Sequence, residues 1–117
     1  MATNDEQQED GEKALRKFLA TRDGQRKAIE NEADAIYSEL TTPPSEEEVE
    51  PMGVDTPLVD DDGYPRGDVD VYRARTLRNR FHVLQTDHKE ISQKVEATLL
   101  QLAALQVRQD SLTKKGF

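Results

Sequence analysis

The chain has no cysteine and no tryptophan among its 117 residues. Without cysteine there is no disulfide scaffold, no thiolate zinc site and no thiol nucleophile. Such usage also suits a reducing compartment, and the expectation is cytoplasm and nucleus. Aromatic residues are scarce, at 5%, so a thick globular core is not expected. No apolar run approaches the roughly 18 to 20 residues that a membrane span needs. Residues 1–10 are acidic and polar, which is not the pattern of a secretory signal.

Catalytic chemistry is equally sparse. The two histidines, His82 and His88, are six residues apart and do not share a helix face as i, i+4 metal ligands do. No glycine-rich phosphate loop is present. Asp60-Asp61-Asp62-Gly63 resembles a calcium loop only faintly, because it lacks alternating ligands and a closing glutamate. The expectation is therefore no enzyme, no catalytic residue, no metal and no cofactor.

What the chain does contain is charge. Charged residues make up 34% of it, and so do hydrophobic ones. That balance suits a helical hairpin, in which each helix needs only one apolar stripe. The net charge of −8 is uneven: residues 1–10 carry −4, residues 11–40 carry 0, residues 41–63 carry −8 and residues 64–117 carry +4. Overall acidity argues against nucleic acid as a partner.

Residues 1–10 read as a disordered leader, and residues 11–117 as one helical domain. The first helix is expected over about 12–40. Its stripe is Leu15, Leu19, Ile29, Ala33, Ile36 and Leu40, interrupted at Arg22 and Arg26 around Gly24, where a bend or a break is expected because a mid-helix glycine costs about 1 kcal/mol relative to alanine. Pro43 and Pro44 end it. A connector over about 41–67 follows, with a disordered acidic first half and an ordered second half; its length marks it as functional or disordered. The second helix is expected over about 68–112. Its stripe is Leu77, Phe81, Leu84, His88, Ile91, Val95, Thr98, Leu102, Leu105, Gln109 and Leu112, heptad-spaced and predominantly apolar. The fold class is thus all-α, an antiparallel, coiled-coil-like two-helix hairpin with a long acidic connecting loop. Asp68 and Asp70 stand where carboxylates cap a helix start. His88 on the stripe reads as a packed histidine bonded to a neighbour across the hairpin.

The residues around the connector's second half carry the functional signal. Arg66, Arg73, Arg75, Arg78 and Arg80 crowd the start of the second helix, against the helix dipole. They either pair with Asp60 to Asp62, Asp68 and Asp70, or form a docking patch. Tyr64 and Tyr72 flank the same turn, and tyrosine and arginine are enriched at interface hot spots. Tyr64 is equally compatible with a lid folded over the open end of the hairpin.

Pro57-Leu58-Val59-Asp60, Gly63-Tyr64-Pro65-Arg66, Asp68-Val69-Asp70, Tyr72, Arg75 and Arg78, followed by Leu84-Gln85-Thr86-Asp87-His88-Lys89, Val95-Glu96 and Leu99 to Leu102, resemble the N-terminal domain of the proteasome assembly chaperones catalogued as non-ATPase regulatory subunit 9 of the 26S proteasome. The resemblance runs from about Gln25 to Leu102. It implies a helical domain, followed in full-length members by a PDZ domain. It also implies binding to the C-terminal domain of one AAA+ ATPase subunit of the regulatory-particle base, which the chaperone escorts during assembly. No PDZ domain follows Phe117, so an excised fragment is expected. Gly67 stands where family members can carry serine. The residues expected to face the partner are Tyr64, Arg66, Tyr72, Arg75 and Arg78, on a chain that is monomeric alone. The alternative is a coiled-coil segment that pairs with a second copy through the stripe from Leu77 to Leu112.

Overall fold

The computed structural model describes residues 4–43 and 50–114. It contains two helices, α1 (Asn4–Thr41) and α2 (Val71–Lys114), joined by a connector without a further helix among its described residues. The acidic run Ser45 to Glu48, expected to be disordered, lies outside the described residues.

Three boundaries differ from those expected. Helix α1 covers Asn4 to Asp10, so the reading of residues 1–10 as a leader is corrected there; an acid-rich opening suits the positive end of a helix. Helix α1 also passes through Gly24 without interruption. The stripe does not fail at Arg22 and Arg26, because both are half-buried at stripe positions. Arginine can do this by laying its aliphatic stem along an apolar surface. The Arg22 guanidinium lies 4.8 Å from the Phe18 ring centroid and donates to Gln25, while Arg26 pairs with Asp23 at 2.6 Å. Finally, α2 begins at Val71 rather than near residue 68.

The chain forms two compact units. The first combines Met1–Lys27 with Lys89–Phe117. Its best-buried side chains are Val95 and Thr98, with Leu15, Leu19, Leu102 and Leu105 half-buried. Thr98 satisfies its hydroxyl by donating to the Lys94 carbonyl one turn back. Gln109 of α2 reaches Glu12 of α1 at 3.5 Å.

The second unit, Ala28–His88, holds the connector. Its core is Ile36, Leu40 and Leu84, with Ile29, Ala33, Met52, Val54, Leu77 and Phe81 packed against it. The helix pairing here is antiparallel, since Arg73, Arg80 and His88 of α2 meet Glu39, Glu32 and Glu30 of α1 in that order. Leu40 and Leu84 are fully buried. Burying a leucine contributes about 1.5–3 kcal/mol, and these two anchor the unit. No helix among the described residues is long and apolar enough to cross a membrane.

Candidate protein-docking surface

The connector's ordered half is built by one tight turn and two arginines. Val59 and Pro65 form an isolated antiparallel bridge, with Asp60 N–H donating to the Tyr64 carbonyl at 2.7 Å and Arg66 N–H to the Leu58 carbonyl at 2.9 Å. Asp60 Oδ1 accepts the backbone N–H of Asp62 and of Tyr64. That is the usual local use of an aspartate at a turn, and it accounts for the carboxylate that suggested a calcium loop. Gly63 closes the turn at φ 86°, a conformation that favours glycine. Leu58 points inward and is buried.

Arg66 is turned inward. Its side chain is only 10% exposed. It donates to the carbonyls of Glu50 and Pro51 and makes a forked pair with Asp68 at 3.0 and 2.8 Å. The pair holds the Asp68 carboxyl below the usual aspartate range and raises Arg66, the hydrogen bond being the main cause in both. Arg78 is turned inward as well. It donates to the carbonyls of Gly53, Met52 and Thr56 at 2.9, 2.8 and 2.6 Å. Planar guanidinium forks suit such multiple acceptors. The expectation that Arg66 and Arg78 face a partner is therefore corrected: both are spent fastening the connector to itself and to α2.

The cap assignment divides similarly. Asp70 immediately precedes α2, and its Oδ1 accepts the Arg73 backbone N–H at 3.0 Å while its carbonyl accepts that of Ala74. That is N-cap geometry. Asp68 is not a cap; its carboxylate goes to Arg66.

Arg73 and Arg80 make forked pairs with Glu39 and Glu32 across the helices. Sequence reasoning did not find these partners. The signal was present, because the arginines are seven apart on α2 and the glutamates seven apart on α1, so antiparallel packing brings both pairs into register. The Arg80 hydrogen bond lowers the Glu32 carboxyl. His88 Nε2 lies 2.9 Å from Glu30 Oε1, the neighbour expected across the hairpin.

Of the five residues expected to face a partner, Tyr64, Tyr72 and Arg75 remain exposed. Tyr64 is 69% and Tyr72 82% exposed, so the Tyr64 ring is not folded down as a lid. Tyr72 and Arg75 are one turn apart on α2 and share a face. Among the described residues, the Arg75 guanidinium has no ion pair or hydrogen bond. An aromatic ring beside an uncommitted guanidinium has the composition of an interface hot spot.

The profile of the Nas2 N-terminal domain matches residues 19–104, which include the whole of the second unit and the adjoining part of the first. The chain belongs to the Nas2 N-terminal domain family. Its curated relatives include the 26S proteasome non-ATPase regulatory subunit 9 of Mus musculus, 45% identical over 76 residues, which are 65% of this chain and 32% of the relative. The subunit of the same name from Homo sapiens is 51% identical over 53 residues, covering 45% of this chain and 24% of the relative. The probable 26S proteasome regulatory subunit p27 of Schizosaccharomyces pombe is 40% identical over 50 residues, covering 43% and 24%. The matched stretch is thus about a third or less of the length of these relatives. No solved structure matches the chain. Tyr64, Arg66, Tyr72, Arg75 and Arg78 all lie inside the family's matched span, so the surface described above belongs to the Nas2 N-terminal domain proper.

Proposed function

We propose that this chain is a proteasome assembly module that binds the C-terminal domain of one AAA+ ATPase subunit of the regulatory-particle base and escorts it during assembly. The relatives are named as 26S proteasome regulatory subunits, which supports a proteasomal partner. The observation that carries the reading is the pairing of Tyr72 with an uncommitted Arg75 on one exposed face of α2, inside the matched span. The module acts by occupying a surface of its client rather than by catalysis, and works in the cytoplasm and nucleus, where proteasomes are assembled.

Self-association is the second reading. The stripe proposed for it, from Leu77 onward, is already used within the chain: Leu84 and Val95 are 1% and 5% exposed. Pairing two copies through that stripe would require the chain to open. Leu99, Leu100 and Val107, 50%, 66% and 65% exposed on α2, are among the apolar side chains open to such a contact.

Light-scattering mass of the chain, alone and mixed with purified C-terminal domains of each proteasomal ATPase, separates the readings. A monomer that forms a one-to-one complex with one of the domains is the expected result. A stable homodimer that binds none of them would overturn it.

A further inference from the structure

The two long sides of the helix pair in unit Ala28–His88 are built differently. One side is tied by two forked ion pairs, Arg73 with Glu39 and Arg80 with Glu32. The other side is covered by the connector at one end, where Met52 and Val54 pack on the core and Arg78 holds the carbonyls of Met52 and Gly53. Beyond the connector's reach this side is open. It forms a groove of roughly 410 Å³ floored by Ile29, Ala33, Phe81 and Leu84. The volume lies in the range of pockets that take a few buried side chains.

The rim of the groove is acidic. Glu30 and Asp34 line it from α1, and no lysine or arginine lines it. Glu30 is engaged by His88. Asp34 is exposed, and among the described residues it has no hydrogen bond or ion pair. Tyr37 stands over the same edge, half-exposed, with its ring 6.1 Å from that of Phe81. An apolar floor with a free carboxylate on its rim, next in sequence to Ala33, calls for an apolar side chain accompanied by a cation.

We propose that this groove docks an amphipathic helix of a partner protein, one that places an aliphatic side chain between Ala33 and Phe81 and a lysine or arginine against Asp34. The connector supplies the precedent within the molecule, since Met52 and Val54 already cover the adjoining part of the same seam. Helix-in-groove docking of this kind is driven by anchor residues at i, i+4 spacing, and the charge of the rim selects among apolar helices. The groove is separate from the Tyr72 and Arg75 face, and the inference does not rest on the identity of the client.

The test uses the whole chain, isotope-labelled, titrated with two synthetic helical peptides of identical leucine pattern, one carrying lysines and the other glutamates. The lysine peptide should shift the amide signals of Ala33, Asp34, Gln85 and His88, and the glutamate peptide should not. Asp34→Lys should weaken the lysine peptide by about tenfold or more, as expected when one anchor is reversed in sign. Asp61→Lys makes the same change of net charge in the exposed turn and should have little effect. Equal weakening by both variants would mean non-specific attraction to an acidic protein and would overturn the proposal. So would equal binding of both peptides, or shifts confined to other residues. Tyr72→Ala combined with Arg75→Glu should leave the peptide titration unchanged. A chain that binds the peptide but none of the ATPase domains would retain the groove and lose the client.

Discussion

The Arg78 guanidinium meets the Gly53 carbonyl at 2.9 Å, and that carbonyl is presented by a residue at φ 72°. A side chain at position 53 would run into Thr56, whose own carbonyl is another of Arg78's acceptors. Arginine and glycine therefore act as one fastening. Arg78→Ala should destabilise the chain by about 1–3 kcal/mol, the cost of leaving formerly paired carbonyls without a donor. Arg78→Lys should recover only part of this, because an ammonium lacks the planar fork. Chemical denaturation checks the magnitude, and loss of Met52 methyl contacts at unchanged helix content locates it in the connector.

Tyr72 and Arg75 should behave in the opposite way. Both are exposed and neither side chain supports a neighbour among the described residues. Tyr72→Ala with Arg75→Glu should leave the melting temperature nearly unchanged while weakening client binding by about a hundredfold, a hot-spot magnitude. Calorimetric titration with the bound ATPase domain reads the affinity. A variant that binds normally would remove this face from the interface.

The helices were legible in the sequence because they depend on spacing. The stripe from Leu77 to Gln109 matches the half-buried and buried positions of α2, and Leu40 and Leu84 lie where the periodicity put them. The connector was less legible. Its arginines carry the same composition whether they face a partner or a backbone carbonyl, and only the course of the chain decides between them. Arg66 reaches Glu50 and Pro51 across 16 and 15 residues, and Arg78 reaches Met52 across 26. No local pattern encodes those separations. Arg22 and Arg26 misled for a related reason: a stripe position filled by arginine looks like a gap, although its stem packs as an apolar chain would.

Acid should loosen the chain through its ion pairs. The folded-state carboxyls of Glu12 and Glu32 lie below their ordinary value of 4.5, held mainly by hydrogen bonds from Arg16 and Arg80; Asp68 lies below 3.8, held mainly by Arg66. A depressed carboxyl contributes stability that is present above its unfolded pKa and is lost as pH falls through the folded one. Stability should thus be flat from neutrality to about pH 5 and fall below that. Glu32→Gln should flatten part of the fall. The Arg80–Glu32 pair is solvent-exposed on both sides, so added salt should reduce its contribution. Thermal melts from pH 7 to pH 2.5, with and without the substitution, check both.

Leu84 and Leu102 provide a scale for the packing. Leu84 is fully enclosed at the meeting of α1, α2 and the connector, whereas Leu102 is half-buried in the other unit. Leu84→Ala should cost about 2–5 kcal/mol because a cavity is left behind. Leu102→Ala should cost less, since solvent can occupy part of the vacated space. Denaturant midpoints at unchanged m-value measure the difference.

Asp70 and Asp68 separate capping from clamping. Asp70 accepts the Arg73 backbone N–H at the first turn of α2, so Asp70→Ala should cost about 1 kcal/mol and fray Val71 to Ala74. Asp70→Ser should restore most of this, because a hydroxyl can accept the same N–H. Asp68→Ala should leave that first turn intact, since Asp68 supplies none of its bonds. Its effect should appear at Glu50 and Pro51, whose carbonyls are held by the Arg66 side chain that Asp68 orients. Amide hydrogen exchange distinguishes the two. Fraying of α2 in the Asp68 variant, with the Asp70 variant unaffected, would reverse the assignment.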